Sequence, residues 1–347
     1  MKKFLILTVL CLTAIFALAN NYRGDGGHYK YEEKKIIEKT FDVKADPILE
    51  MNGKYSDFII TTWDQQQIDF KVTVLVKSDN SDKLKAKFNS IDIRLDQEGN
   101  KVKAETEFGD YPYKTFNGSI TIKYYVKVPE DVFMELETKY GDITVETVNK
   151  RFEVDIKYGD LTADKLLADS HIDIKYGNFD INEAQNVYLE LDYGNGKINK
   201  CDYIDGELKY SEIKISEMND GILENKYSDV RIEKANKIQF RSTQYTEVRV
   251  KEVTESLIAK LQYSDLKIKV TTDKPNIDID GQYSDMIIYL NESASFNYNL
   301  KSSYGDIVFN GFFDTKSISS SGHYGDSERG QLNISTRYGD VDILKNK

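Results

Sequence analysis

One short phrase recurs along this chain and limits the fold more than anything else in it. It reads Tyr140-Gly141-Asp142-Ile143-Thr144-Val145, then Tyr158-Gly159-Asp160-Leu161-Thr162-Ala163, then Tyr176-Gly177-Asn178-Phe179-Asp180-Ile181. It returns from Tyr193, Tyr210, Tyr227, Tyr245, Tyr263, Tyr283, Tyr304, Tyr324 and Tyr338. Subtracting residue numbers gives steps of 18, 18, 17, 17, 17, 18 and 18, then 20, 21 and 20, and finally 14. A fixed period of this size marks a stacked repeat architecture.

Parity describes the unit. Val154, Ile156 and Tyr158 are alternate residues, as are Ile172, Ile174 and Tyr176, and Leu189, Leu191 and Tyr193. Alternate residues of a strand share a face, so each Tyr is expected to continue an inward apolar row. After the small-plus-acid pair the row resumes at the third and fifth positions, as in Ile213 and Ile215 or Val230 and Ile232. The offset from Tyr changes from even to odd, so the pair between must turn the chain. Each unit is then a strand, a corner, a second strand and a looser return. Such a unit buries its apolar row only when stacked on its neighbours. Parallel strands lie about 4.8 Å apart, which would set Tyr over Tyr and Ile over Ile. A β-sandwich also alternates, but it does not explain a corner at constant spacing. The expected fold is all-β, a parallel β-solenoid (β-helix) of about 18-residue turns.

The corner residues carry further information. The second position is Gly, Ser or Thr246. A left-handed backbone there would call for Gly or Asn, so the requirement is for a small side chain. The third is mostly Asp, with Asn178, Asn195, Glu212 and Glu247 as substitutes. Asp and Asn stabilise turns by bonding nearby backbone; Glu does so less well, and the turn account leaves it unexplained.

Upstream the pattern differs. Met1 to Ala19 has the form of a secretory leader: Lys2 and Lys3, an apolar run from Phe4 to Phe16, and Ala17-Leu18-Ala19 before the cut. Cys11 lies inside the apolar run after Leu10, which argues against lipidation there. Residues 20–40 read as a flexible polar lead-in, 41–130 as a strand-rich cap and 131–347 as the repeats. The cap already holds one copy of the phrase, Tyr55-Ser56-Asp57-Phe58-Ile59-Ile60. Ile68 to Val76 should pair with that strand. Ser81 to Ser90 should form a short helix capped by Ser81 or Asp82. Ile91–Leu95 and Val102–Thr106 should form a hairpin across Gln97-Glu98-Gly99-Asn100. Phe108-Gly109-Asp110 is a degenerate copy, and Ser119 to Val128 is a strand ended by Pro129. The cap is expected to cover one end of the stack, because a bare end exposes unpaired backbone. After Tyr324 the apolar positions hold Ser327 and Arg329, and Val341 and Ile343 then restore the pattern.

The leader, the strand-rich opening and the repeated Tyr-Gly-Asp phrase together resemble the putative adhesin (toast-rack) family of bacterial envelope proteins, with its related head-GIN domain. The most telling pieces are Asn52 to Asp64, Val126-Lys127-Val128-Pro129-Glu130-Asp131 and Lys139-Tyr140-Gly141-Asp142. The resemblance covers the chain from about Phe41 onward. It implies a β-solenoid outside the cytoplasm and brings no catalytic residues.

The remaining chemistry is sparse. The net charge is −11, and loss of Lys2 and Lys3 with the leader takes it to −13. That disfavours nucleic acid, whose phosphates need a basic footprint, and simple adsorption to anionic lipid. Cys201 is the one cysteine after the leader, so it has no intramolecular disulfide partner. No later segment is apolar enough for a membrane span. Asp265, Asp285, Asp306, Asp326 and Asp340 form a corner column that reads either as weak calcium sites or as turn-fixing scaffold. Asn178 and Asn195 in the same column favour scaffold. His28, His171 and His323 are scattered, and no nucleophile or phosphate motif occurs. Tyr faces can stack on sugars, but parity favours a structural use; Tyr111, Tyr113, Tyr124 and Tyr125 are looser surface candidates. The reading is therefore a non-enzymatic, exported, adhesin-like solenoid for surface binding or envelope sensing, with an extracellular or envelope partner, a glycan or a protein. No catalytic residue, metal or cofactor is assigned. The rival is a polysaccharide-active β-helical enzyme, which would need one special carboxylate pair.

Overall fold

Apolar residues alternating with charged ones make strands that are dry on one face and wet on the other. In Phe152–Lys157, for example, Phe152, Val154 and Ile156 are buried and the residues between them are not. A computed structural model describes residues 29–312, 316–317 and 319–346. The leader, Cys11, His28 and the start of the lead-in lie outside the described residues.

The first part holds β1 (Tyr31–Asp42), β2 (Ile48–Lys54), β3 (Ser56–Trp63), β4 (Gln67–Ser78), α1 (Ser81–Asn89), β5 (Ile91–Glu98), β6 (Lys101–Phe108) and β7 (Gly118–Pro129). Residues 31–40 are thus strand, not lead-in, because β1 pairs with β4 along its length. β4 does not pair with β3 as the alternation suggested. It lies antiparallel between β1 and β7, and β7 lies parallel beside β3. The helix cap is Asn80, one residue earlier than Ser81; its side chain accepts from the Lys83 N–H at 2.9 Å. The β5–β6 hairpin forms as expected, with Gly99 at φ 64° in its turn. α1 packs against β1, β4 and β5, with Leu84 buried beneath it. Lys35 and Lys39 on β1 reach across to the carbonyls of Ile91 and Leu95 on β5. Burial lowers the Lys35 pKa there.

The stack continues with β8 (Phe133–Lys139), β9 (Ile143–Val148), β10 (Phe152–Lys157), β11 (Leu161–Lys175), β12 (Phe179–Asp192), β13 (Asn195–Lys209), β14 (Glu212–Lys226), β15 (Asp229–Gln244), β16 (Glu247–Gln262), β17 (Asp265–Val270), β18 (Asn276–Gln282) and β19 (Met286–Asn291). Neighbouring rungs pair in parallel, so this is an all-β solenoid. From β11 to β16 the expected looser return does not exist. One strand bends through it: the first half of β11 pairs with β9 and the second with β10. Steps of 17 and 18 residues coexist because a register shift between Leu166 and Asp169 absorbs the extra residue. It turns Leu167 outward, leaving it 40 % exposed.

Like lies over like. Val154, Ile172, Leu189, Gly206, Leu223 and Phe240 follow one another rung by rung in one inner row. Each fully buried aliphatic contributes roughly 1.5–3 kcal/mol.

The last part breaks chain order. It holds β20 (Phe296–Ser303), β21 (Ile307–Asn310), β22 (Lys316–Ser317), β23 (Ser319–Tyr324), β24 (Gly330–Arg337) and β25 (Val341–Asn346). β24 and β25 insert between the rung of β18 and β19 and the rung of β20 and β21. β22 and β23 fold back antiparallel on the outermost rung.

Candidate functional site

The tyrosine corner is the dominant surface feature, and its backbone explains the change of parity. Every Tyr of the column, from Tyr55 and Tyr140 through Tyr304 and Tyr338, has φ between 52° and 63°. A non-glycine residue in this left-handed region costs about 1–2 kcal/mol. The turn swings each ring out of the inward row, so the expectation of inward tyrosines is wrong: the rings inside the column are 38–51 % exposed. The residue after each Tyr takes the inward place, and there Ser56, Ser211, Ser228, Thr246, Ser264 and Ser284 are buried.

The rings stack face to face at 4.8–5.1 Å with interplanar angles of 3–16°. Such pairs add about 0.5–1.5 kcal/mol each, which offsets much of the backbone strain. Tyr55 begins the column, with Phe108 edge-on against it at 5.8 Å. The order at the other end is Tyr283, Tyr338, Tyr304. Tyr324 is not in the column; it packs against Phe296 and Phe312.

Two wirings hold the corners together. Where the second residue is Gly, the third residue's N–H donates to the Asp or Asn side chain of the preceding rung. Asp160 donates to Asp142 at 2.9 Å, Asn178 to Asp160 at 2.7 Å, and Asn195 to Asn178 at 3.0 Å. These corners sit very close: a Cβ on Gly177 would lie 1.9 Å from the Gly159 carbonyl oxygen. Where the second residue is Ser or Thr, its hydroxyl takes over. Ser228 Oγ donates to the Lys226 carbonyl at 2.9 Å and accepts from the Ser211 N–H at 3.1 Å. The third residue's N–H then donates to a backbone carbonyl, as Glu212 does to Gly194 at 3.0 Å. Its side chain is released from the turn, which is why Glu212 and Glu247 are accepted in that stretch.

The terminal Asp column is reordered in the same way. Asp285 accepts from the Asp340 N–H and Asp340 from the Asp306 N–H, each at 2.9 Å. Asp326 stands apart, its N–H donating to Ser295. Among the described residues no group of three His, Cys, Asp or Glu side chains is placed to hold a metal ion.

Polar columns flank the rings. Lys54, Lys139 and Lys226 lie over the tyrosines that follow them, with Nζ 5.2–5.8 Å from the ring centroids. Two residues before that Lys column runs a carboxylate column: Asp155, Asp173, Glu190 and Glu207 are successive register partners. Lys175 and Lys209 bond Asp173 and Glu207 in their own strands, and those hydrogen bonds raise both lysine pKa values. In the neighbouring column His171 stacks on Tyr188 at 4.6 Å between Glu153 and Asp205. The Lys column was visible in the sequence as the residue before many of the tyrosines; the His171–Tyr188 pair, split across a rung, was not.

Other candidates resolve individually. Tyr124 is fully buried, not a surface residue, and its hydroxyl meets Thr106 Oγ1 at 2.6 Å. Tyr113 and Tyr125 are exposed. Cys201 is buried, which pushes its thiol up to about 12. His323 lies on β23, opposite Asn297. No described helix is long and apolar enough to cross a membrane.

Fold and corner together define a β-solenoid protein with a stacked aromatic edge. Residues 199–344 match the family model described as Toastrack DUF4097, so this part of the chain is similar to the family that the Tyr-Gly-Asp phrase suggested. Solved structures align over most of the chain at low identity. A putative cell adhesion protein from Clostridium sporogenes is 12% identical, covering 90% of this chain and 100% of its own, with TM-score 0.19. A putative adhesin from Bacteroides fragilis is 12% identical, covering 90% and 97%, with TM-score 0.28. A putative lipid binding protein from Parabacteroides distasonis is 11% identical, covering 90% and 97%, with TM-score 0.32. No curated protein matches the chain.

Proposed function

We propose that this protein acts by binding and not by catalysis: an exported, adhesin-like solenoid that holds a long repeating surface against a glycan or protein outside the cytoplasm. The observation that carries this reading is the unbroken exposed column from Tyr55 to Tyr304, flanked in register by lysines and carboxylates. A rigid surface that repeats at every rung suits an extended or repetitive partner better than a single small molecule. The corner carboxylates support the same reading, because those of Asp142, Asp160, Asp285 and Asp340 already accept backbone N–H groups as parts of the scaffold. The leader at 1–19 supports export. With β1 joined to it, the part before 131 then serves as the cap, and the part from 131 onward as the repeating face.

The test is a binding screen of the purified protein against glycan and cell-surface protein panels, with product analysis on every hit. Saturable binding that weakens when Tyr176, Tyr193 and Tyr210 are all changed to Phe is the expected result. That change keeps the stack and removes the outward hydroxyls. Appearance of new reducing or unsaturated ends, abolished by a single Asp substitution, would overturn the reading in favour of an enzyme.

A further inference from the structure

The out-of-order rung near the end of the chain is more than a topological detail. β24 and β25 supply the ladder that joins β20 and β21 to the rest of the stack. Among the described residues, β20 pairs only with β23 and β24, and β21 only with β22 and β25. The inserted pair is bonded on both sides. Toward the stack, the N–H groups of Tyr283 and Met286 donate to the carbonyls of Arg337 and Asp340 at 2.8 and 2.9 Å. Toward the outer rung, the N–H groups of Tyr338 and Val341 donate to Ser303 and Asp306, each at 2.9 Å. The ring of Tyr338 is sandwiched between those of Tyr283 and Tyr304, both at 4.8 Å.

We infer that the gap between these two rungs is an exchangeable strand-pair slot, filled by 330–346 of the same chain in the monomer and by 330–346 of a second copy in a swapped dimer. Four points favour a second copy. The slot is shaped by backbone ladders and by the Tyr, Gly and Asp columns, and the segment complementary to all of them is this one, which every copy carries. The contacts are the same whichever copy supplies the strands, so exchange changes only the hinge and the cost of association. The hinge is the short crossing 325–329 between β23 and β24, with Gly325 at φ 79° and Ser327 and Glu328 exposed. The slot's two walls also precede its occupant in the chain. Both walls are therefore made before the strands that join them, and a neighbour's strands compete for the same open edges.

The experiment uses full-length protein. Gln282 and Arg337 are register partners across one wall of the slot. One batch carries Gln282→Cys, a second of different mass carries Arg337→Cys, and the two are refolded together from urea at rising concentration and then oxidised. The expected result is a disulfide-linked heterodimer whose share grows with concentration and exceeds at least tenfold that from Arg337→Cys mixed with Lys226→Cys, a remote site. Equal linking in both mixtures, or monomers only in the mixed pair while the double variant closes within one chain at every concentration, would overturn the proposal. Hydrogen exchange on the unmodified chain is an independent check that needs no variant. Amides of β20 should open at the same rate as those of β24, and β20 amides that stay protected while β24 exchanges would also overturn it.

Discussion

Replacing Tyr210 in the middle of the column by Phe, Gly and Ala separates the two forces at the corner. Tyr210 has φ 52°, is 50 % exposed, and stacks on Tyr193 at 4.9 Å and Tyr227 at 5.0 Å. An aromatic side chain buries about 150–250 Å² when fully covered. Half of that, roughly 100 Å², is worth about 2.5 kcal/mol at ~25 cal/mol/Å². Two stacking contacts at about 0.5–1.5 kcal/mol each raise the total, so Ala should cost about 3.5–5.5 kcal/mol. Gly loses the same contacts but relieves the left-handed strain, recovering about 1 kcal/mol. Phe keeps the stack and should stay within about 1 kcal/mol of the parent. The expected order of stability is thus Tyr and Phe, then Gly, then Ala. In an ordinary strand position Gly is worse than Ala, so the order of these two reports the backbone directly. Urea midpoints at matched slopes measure it. An Ala variant as stable as the Gly variant, or more so, would refute the claim that the corner strain sits on the tyrosine.

The remaining expectations use the same corner and the buried thiol. Ser228→Ala removes the acceptor of the buried Ser211 N–H and should cost about 1–3 kcal/mol in urea unfolding, whereas Ser228→Thr should be tolerated, as Thr246 is one rung on. Gly177→Ala forces a methyl onto the Gly159 carbonyl and should lower stability by about 2–3 kcal/mol; a midpoint equal to the parent's would show that the rungs spread freely. Asp160→Ala removes the acceptor shared by the Asn178 N–H and Nδ2, for a loss of about 1 kcal/mol, while Asp160→Asn should stay close to the parent. Cys201, pushed up to about 12, should resist iodoacetamide at pH 8 in the folded chain and react at once in urea. Because folding raises this pKa, the stability it reflects is present below the ordinary thiol range and is lost as pH climbs from there toward 12.

Particular residues show where legibility in the sequence stopped. The period, the small second residue and the aliphatic rows are local regularities, and stacking in register follows from them because equal side chains pack best over one another. The exclusion of Tyr324 was also written locally, in Ser327 and Arg329 at the apolar positions. The left-handed tyrosine was hidden because strand alternation extrapolates straight through the corner. A bulky residue in that conformation is held by the rings that stack on it, on both faces inside the column and on one at its ends, and those rings lie a full rung away. The pairing of β4 with β1 and β7, and the passage of β24 and β25 between two earlier rungs, depend on contacts between residues far apart in the chain. Local regularities were enough to specify stacked rungs with a small corner residue. Which face the rings present, and in what order the last rungs close, came from the three-dimensional fold, because strand ladders that form across rungs set both and leave no period in the chain.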